Sequence, residues 1–197
     1  MGDISLNCAI IAVRWLGMNR MCSLFGHSRL WKSEEVAERL YAELELLVSE
    51  GILVFQVGTH GEFDKVALSQ LRRLRRSHPD IKISVVFTTL TILTPDKDGN
   101  SRVMGYEDVE VTTYPIEEVH FKNQIVVNNQ MMVDQSDVIL CCVDFAEYRS
   151  GAKRAVKYAQ KQGKRIINVF KESDRPFYGM TQEEKDEYWK KVRESLK

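Results

Sequence analysis

The chain has no excess of either charge: 28 Lys and Arg stand against 28 Asp and Glu, so the formal net charge at pH 7 is zero. A protein dedicated to DNA or RNA carries a basic surplus, because phosphate neutralisation supplies most of its affinity. Nucleic acid is therefore an unlikely partner. Cysteine is sparse as well. Cys8, Cys22, Cys141 and Cys142 include no pair at the C-x-x-C spacing of a zinc or redox site. Cys141 and Cys142 sit inside an apolar run, which reads as buried free thiols in a reducing compartment, hence a soluble, cytoplasmic protein. Long apolar runs are missing too. The stretch Cys8–Leu16 is interrupted by Arg14 and preceded by Asp3, where a secretory signal would be basic. It falls well short of the roughly 20 residues that span a bilayer, so no membrane association is expected.

What is present is an ordinary globular composition, 44% hydrophobic and 28% charged, over 197 residues. That suits one sizeable core and is too apolar for disorder. Met1–Arg20 reads as an N-terminal extension, as from an upstream start codon. The regular pattern begins at Met21, and 21–197 is expected to form a single domain. Met21–Phe25, Ile52–Val57, Ile81–Phe87, Val109–Thr113, Val138–Val143 and Arg165–Phe170 have the length and apolarity of strands. Helical periodicity fills the gaps: Ser33 as an N-cap ahead of Val36, Leu40, Leu44 and Leu47, then 64–76, Val126–Gln135 and about 150–162. Thr181 and Glu184 form a capping box for a closing helix, with Tyr188, Trp189, Val192 and Leu196 as its packing stripe. Asp96–Asn100 is a turn, and it lacks the later ligands of a calcium loop. Strands alternating with helices imply a three-layer α/β sandwich with a mostly parallel sheet.

Parallel sheets bind ligands at the carboxyl ends of their strands, which directs attention to three loops. The first is Gly26-His27-Ser28-Arg29. The second, Gly58-Thr59-His60-Gly61-Glu62-Phe63-Asp64, leaves a buried strand and enters a helix, so bare amides meet the helix N-terminus and suit an anion. Asp64 can cap that helix or accept hydrogen bonds from a ribose. The third pairs Asn128 and Asn129 with Arg149, Ser150 and Gly151, a helix start next to a guanidinium. No metal site and no resident cofactor is indicated. Arg72, Arg73, Arg75 and Arg76 crowd one helix face, where a solvated surface explains them more simply than phosphate contact.

The order of these motifs resembles the SLOG superfamily, and within it the YpsA-like branch. That branch has a G-H-R strand end, a G-G-x-x-G-F-D loop, an R-N-x-x-M-V-x-x-S-D segment and a G-G-T helix start. Here the matching residues are Gly26-His27, Gly58-x-x-Gly61-x-Phe63-Asp64, Asn129 through Met132-Val133 to Ser136-Asp137, and Ser150-Gly151-Ala152. The resemblance covers about Met21 to Phe170 and implies a Rossmann-like, nucleotide-binding domain. It departs at Ser28, where the branch has arginine, and at Thr59, where it has glycine.

The superfamily includes phosphoribohydrolases, a DNA-processing protein and sensors of nucleotide signals in bacterial immunity. The positions matching the hydrolase's catalytic arginine and glutamate are Asn128 and Arg154. Cleavage of an N-glycosidic bond calls for a carboxylate to activate water or stabilise an oxocarbenium ion. The resemblance thus favours a module that senses or sequesters a nucleotide or nucleotide-derived small molecule. A nucleoside-phosphate hydrolase using Asp64 or Glu147 is the alternative. The assembly, monomer or homo-oligomer, stays open.

Overall fold

Four runs of nearly uninterrupted apolar character, buried on both faces, form the middle of one parallel sheet. In the computed structural model, which describes residues 20–88, 94–95, 101–102, 105–116, 118–147 and 150–195, β1 is Met21–Gly26, β2 Val54–Val57, β3 Lys82–Phe87 and β7 Val138–Cys142. The edges are β6 (Glu110–Thr113) and β8 (Arg165–Asn168). The lateral order is β6-β3-β2-β1-β7-β8, with every pairing parallel. A separate antiparallel pair, β4 (Thr94–Pro95) and β5 (Ser101–Arg102), flanks the Asp96–Asn100 turn, which lies outside the described residues. So do residues 1–19, which include nearly all of the expected extension.

Side-chain alternation along the strands divides the apolar residues between two layers. Cys22, Leu24, Leu140 and Cys142 join α1 (Ser33–Ser49) and α2 (Glu62–Ser77) in one cluster. Phe25, Ile139, Cys141 and Val143 join α3 (Phe121–Gln135) and α4 (Gly151–Lys161) in the other. The result is the three-layer, Rossmann-like α/β sandwich. Cys141 and Cys142 thereby face opposite layers. Both thiols are free and buried, and burial pushes each pKa up to about 12.

Through the second layer runs a polar stripe absent from the sequence reading. Ser23, Gln56 and Ser84 lie side by side in register on β1, β2 and β3. Ser23 donates to Gln56 (3.2 Å), Gln56 to the Tyr114 hydroxyl (3.1 Å) and Tyr114 to Gln135 (2.8 Å), while Ser136 donates to Ser23 (2.6 Å). Buried polar groups need partners, and here the partners lie at the C-terminal end of α3, so the network fixes that helix against the sheet.

Two helix expectations change. Ser33 is the first residue of α1 and not its cap; Lys32 holds the cap position without a side-chain hydrogen bond, and Glu34 and Glu35 supply the negative charge that favours a helix start. The closing helix, α5 (Gln182–Ser195), does have its capping box: Thr181 N donates to Glu184 at 2.7 Å and Glu184 N to Thr181 Oγ1 at 3.3 Å. Its stripe does not bury over the described residues, and Leu196, its last member, lies outside them. No residue of α5 is buried, and Tyr188 and Trp189 remain 37% and 47% exposed. They meet Phe177 at ring distances of 5.2 and 5.7 Å instead of joining either core layer.

Candidate ligand-binding site

From β1 the chain moves to β2 on one side, and only after β6 does it cross to β7 on the other. The carboxyl ends of β1 and β7 therefore flank the point where the strand order reverses, the usual ligand crevice of open α/β sheets.

His27 occupies that point and is 9% exposed. The backbone N–H of Asp144, just past β7, donates to His27 Nε2 at 2.7 Å. Nε2 is thus an acceptor, which places the proton of the neutral ring on Nδ1. Nδ1 faces the Glu147 carboxylate at 2.8 Å and Ser150 Oγ at 3.1 Å. Desolvation lowers the pKa of His27 from its ordinary value, and the nearby Glu147 and Asp144 carboxylates oppose that shift. The arrangement is not a Ser-His-carboxylate triad. Serine and carboxylate share one ring nitrogen, and the other nitrogen is occupied by the backbone, so the ring cannot relay a proton between them.

The second loop is tied to the first. Glu62 N donates to Ser28 O at 3.0 Å, and Leu30 N donates to the Glu62 carboxylate at 2.7 Å. Close approach sets the glycines here. A Cβ on Gly26 would fall 2.0 Å from the Phe63 ring, and one on Gly61 would fall 2.8 Å from the backbone of Ser28. Asp64 accepts from the N–H groups of His60 (2.8 Å) and Gly61 (3.0 Å), closing the start of α2. Its burial raises the carboxyl pKa in spite of those two donors.

In the third region Ser150 caps α4, accepting from Lys153 N at 3.2 Å. Gly151 follows with nothing within 4 Å of where a Cβ would stand. Lys153 Nζ binds back to the carbonyls of Phe145 (2.5 Å) and Glu147 (2.8 Å), and Arg175 grips Asp144 in a two-point pair at 2.6 and 2.9 Å. That guanidinium holds the Asp144 carboxyl below its usual range.

These parts enclose a cleft of about 170 Å³. Of the residues expected from the sequence, Gly26, His27, Gly58, Gly61, Asp64, Asn128, Asn129, Ser150 and Gly151 all line it. Thr59 does not; it lines a neighbouring depression with Lys65, Arg72 and Tyr106. Arg149 lies outside the described residues. Arg154 points elsewhere, into a separate surface depression beside Tyr158. Asn128 is 2% exposed, and its Oδ1 is buried without a hydrogen-bond partner.

The cleft also takes Ile125 and Met132, which the sequence reading left out. With Asn128 and Asn129 they follow an i, i+3, i+4, i+7 pattern on α3, which begins at Phe121, five residues before the Val126 that the periodicity indicated, so Ile125 fell outside the expected helix. Three of the four arginines on α2 are engaged within the molecule. Arg72 and Arg75 both pair with Asp108 at 2.5 Å, and Arg73 pairs with Glu38 at 2.9 Å while lying 4.0 Å over the Tyr41 ring. Among the described residues no helix is long and apolar enough to cross a membrane.

No family model matches the chain, and none of the curated proteins does. Solved structures similar at low level include two enzymes. One is a probable mandelate racemase from Alicyclobacillus acidocaldarius, at 14% identity and a TM-score of 0.29, covering 79% of this chain and 44% of that one. The other is a KDPG aldolase from Legionella pneumophila, with pyruvate captured as a covalent carbinolamine, at 16% identity and a TM-score of 0.21, covering 78% and 50%. The chain thus spans about half the length of either, and neither likeness carries an argument about its activity.

Proposed function

We propose that this chain is a SLOG-type binding module that holds a nucleotide or nucleotide-derived small molecule in the cleft at the β1–β7 switch point, without turnover. The observation that carries the reading is the open N-terminus of α4 at Ser150-Gly151, lining one crevice with the buried, unpartnered Oδ1 of Asn128. Helix starts favour phosphate. The orphaned Asn128 oxygen is an acceptor whose isolation costs about 1–3 kcal/mol, recovered when a ligand brings it a donor such as a base amino group or a sugar hydroxyl. The motif order resembling the SLOG superfamily supports the same ligand class, and with it a sensing or sequestering role in the cytoplasm, of the kind used in bacterial or phage immunity signalling. Hydrolysis is supported only by the presence of Asp64 and Glu147 in the lining. Asp64 is committed to the backbone, and Glu147 to His27.

The test is calorimetric titration of AMP and related nucleotides into wild type, Asn128→Ala and Gly151→Phe, with chromatography of the recovered ligand. Binding to wild type is expected, with at least a tenfold loss in both variants and no free base released. Absence of binding overturns the reading, and release of base replaces it with the hydrolase.

A further inference from the structure

A second cleft, of about 490 Å³, lies on the other side of His27. It shares His27, Ser28 and Glu147 with the first and continues past Trp31 and Phe170 to Asp174 and Arg175. The first cleft, at about 170 Å³, is smaller than the ~300 Å³ at which small-molecule pockets begin; it suits one unit of a ligand better than a whole one. The second is within that range. Open α/β sheets take ligands in the crevice where the strand order reverses, and here both clefts share His27 and Ser28 of the turn that follows β1 at that point.

The chemistry of the second cleft is specific. Its acids are already matched: Asp144 to Arg175, Glu147 to His27, and one oxygen of Asp174 to Arg39 Nη2 at 2.5 Å. The side chains of Arg29 and Lys32 have no ion pair among the described residues, so two uncompensated cations remain. Trp31 presents an indole that is 53% exposed. Asp174, only 6% exposed, has its other oxygen buried without a partner. A planar ring for Trp31, an anion for Arg29 and Lys32, and an N–H or O–H donor for Asp174 together describe a second nucleotide unit.

We infer that the ligand is of the dinucleotide class, two nucleosides joined through phosphates, with one unit in each cleft and the linking phosphates passing over His27-Ser28-Arg29. This rests on the nucleotide-binding reading of the first cleft and adds the second. The probes that test it are AMP, with one ring and one phosphate, and NAD⁺, with two nucleosides joined by a pyrophosphate. Both are titrated calorimetrically into the full chain and into Trp31→Ala and the double variant Arg29→Ala/Lys32→Ala. Trp31 and Arg29 are exposed and Lys32 is half-buried, so folding should survive, and circular dichroism verifies it. NAD⁺ is expected to bind wild type at least tenfold tighter than AMP, and both variants should bring it down to the AMP level while AMP affinity changes less than twofold. Equal affinity of the two probes for wild type, or variants that keep the NAD⁺ advantage, overturns the two-cleft inference while AMP binding leaves the first cleft standing. Failure of both probes overturns both readings.

Discussion

Gly26 shows how one residue can join the fold to the site. Its sequence context, a strand end followed by His27, suggests a tight turn, but its φ is not in the left-handed region. The reason for glycine is the Phe63 ring packed where a Cβ would go, and Phe63 is fully buried. Gly26→Ala must displace that ring. It should cost at least the ~1–3 kcal/mol of an overpacked core, read as a lower urea midpoint. Asp64 invites a different pair of variants. Asp64→Ala leaves the His60 and Gly61 amides without their acceptor and should lose about 1–3 kcal/mol. Asp64→Asn keeps an accepting oxygen and removes a desolvated charge, so its midpoint should stay within about 1 kcal/mol of wild type. Equal losses in the two would mean that the negative charge, and not the acceptor, holds the loop. The sequence offered capping and ribose binding as alternatives for Asp64; the geometry supplies the capping, and the carboxylate still reaches the cleft wall.

At the scale of elements, the four central strands were legible because each is a short, largely apolar run bounded by polar or turn residues, the pattern of a strand buried on both faces. The boundaries moved where pairing decides them. Ile52 and Leu53 continue the apolarity of β2, yet the ladder with β1 begins at Val54. The polar stripe stayed hidden because Ser23, Gln56 and Ser84 are isolated in sequence, and only lateral register makes them neighbours. Helix α5 failed for the opposite reason. Periodicity reports that a stripe exists, not that anything covers it, and among the described residues Trp189 has Tyr188 and Phe177 as its ring partners. Trp189→Ala should therefore cost about 1 kcal/mol or less, the scale of exposed aromatic pairs. Leu140→Ala, at a fully buried position on β7, should cost about 2–5 kcal/mol. Thermal unfolding of the two variants side by side checks the contrast; comparable losses would show that α5 is part of the core.

The whole molecule has a neutral formal charge, so its response to acid is decided by which groups the fold has shifted and in which direction. His27 is the buried histidine, and its pKa is lowered because desolvation disfavours the imidazolium. The unfolded chain then binds a proton below about pH 6.5 that the native chain does not, so by linkage stability rises with pH through that interval. Read downward, the contribution of His27 is fully present above pH 6.5 and is lost as pH falls toward the depressed native value. Asp144 has the same sign in a lower window. Its carboxyl is held down by Arg175, so its stabilisation is present above the ordinary aspartate value near 3.9 and disappears below it. Asp108 adds to that lower step, but the pair is solvent-exposed and its share is correspondingly discounted. Two separate losses are therefore expected on acidification, one beginning below pH 6.5 and one below about pH 4. His27→Gln keeps a hydrogen-bonding side chain that does not titrate, and Arg175→Gln removes the partner that holds Asp144 down. Urea midpoints measured from pH 7.5 to pH 3 should show the upper step missing in the first variant, with the lower step intact. The second variant should keep the upper step and weaken the lower. An upper step that persists in His27→Gln would mean that the switch-point imidazole does not govern acid stability, and that Asp144 N–H does not fix its neutral form.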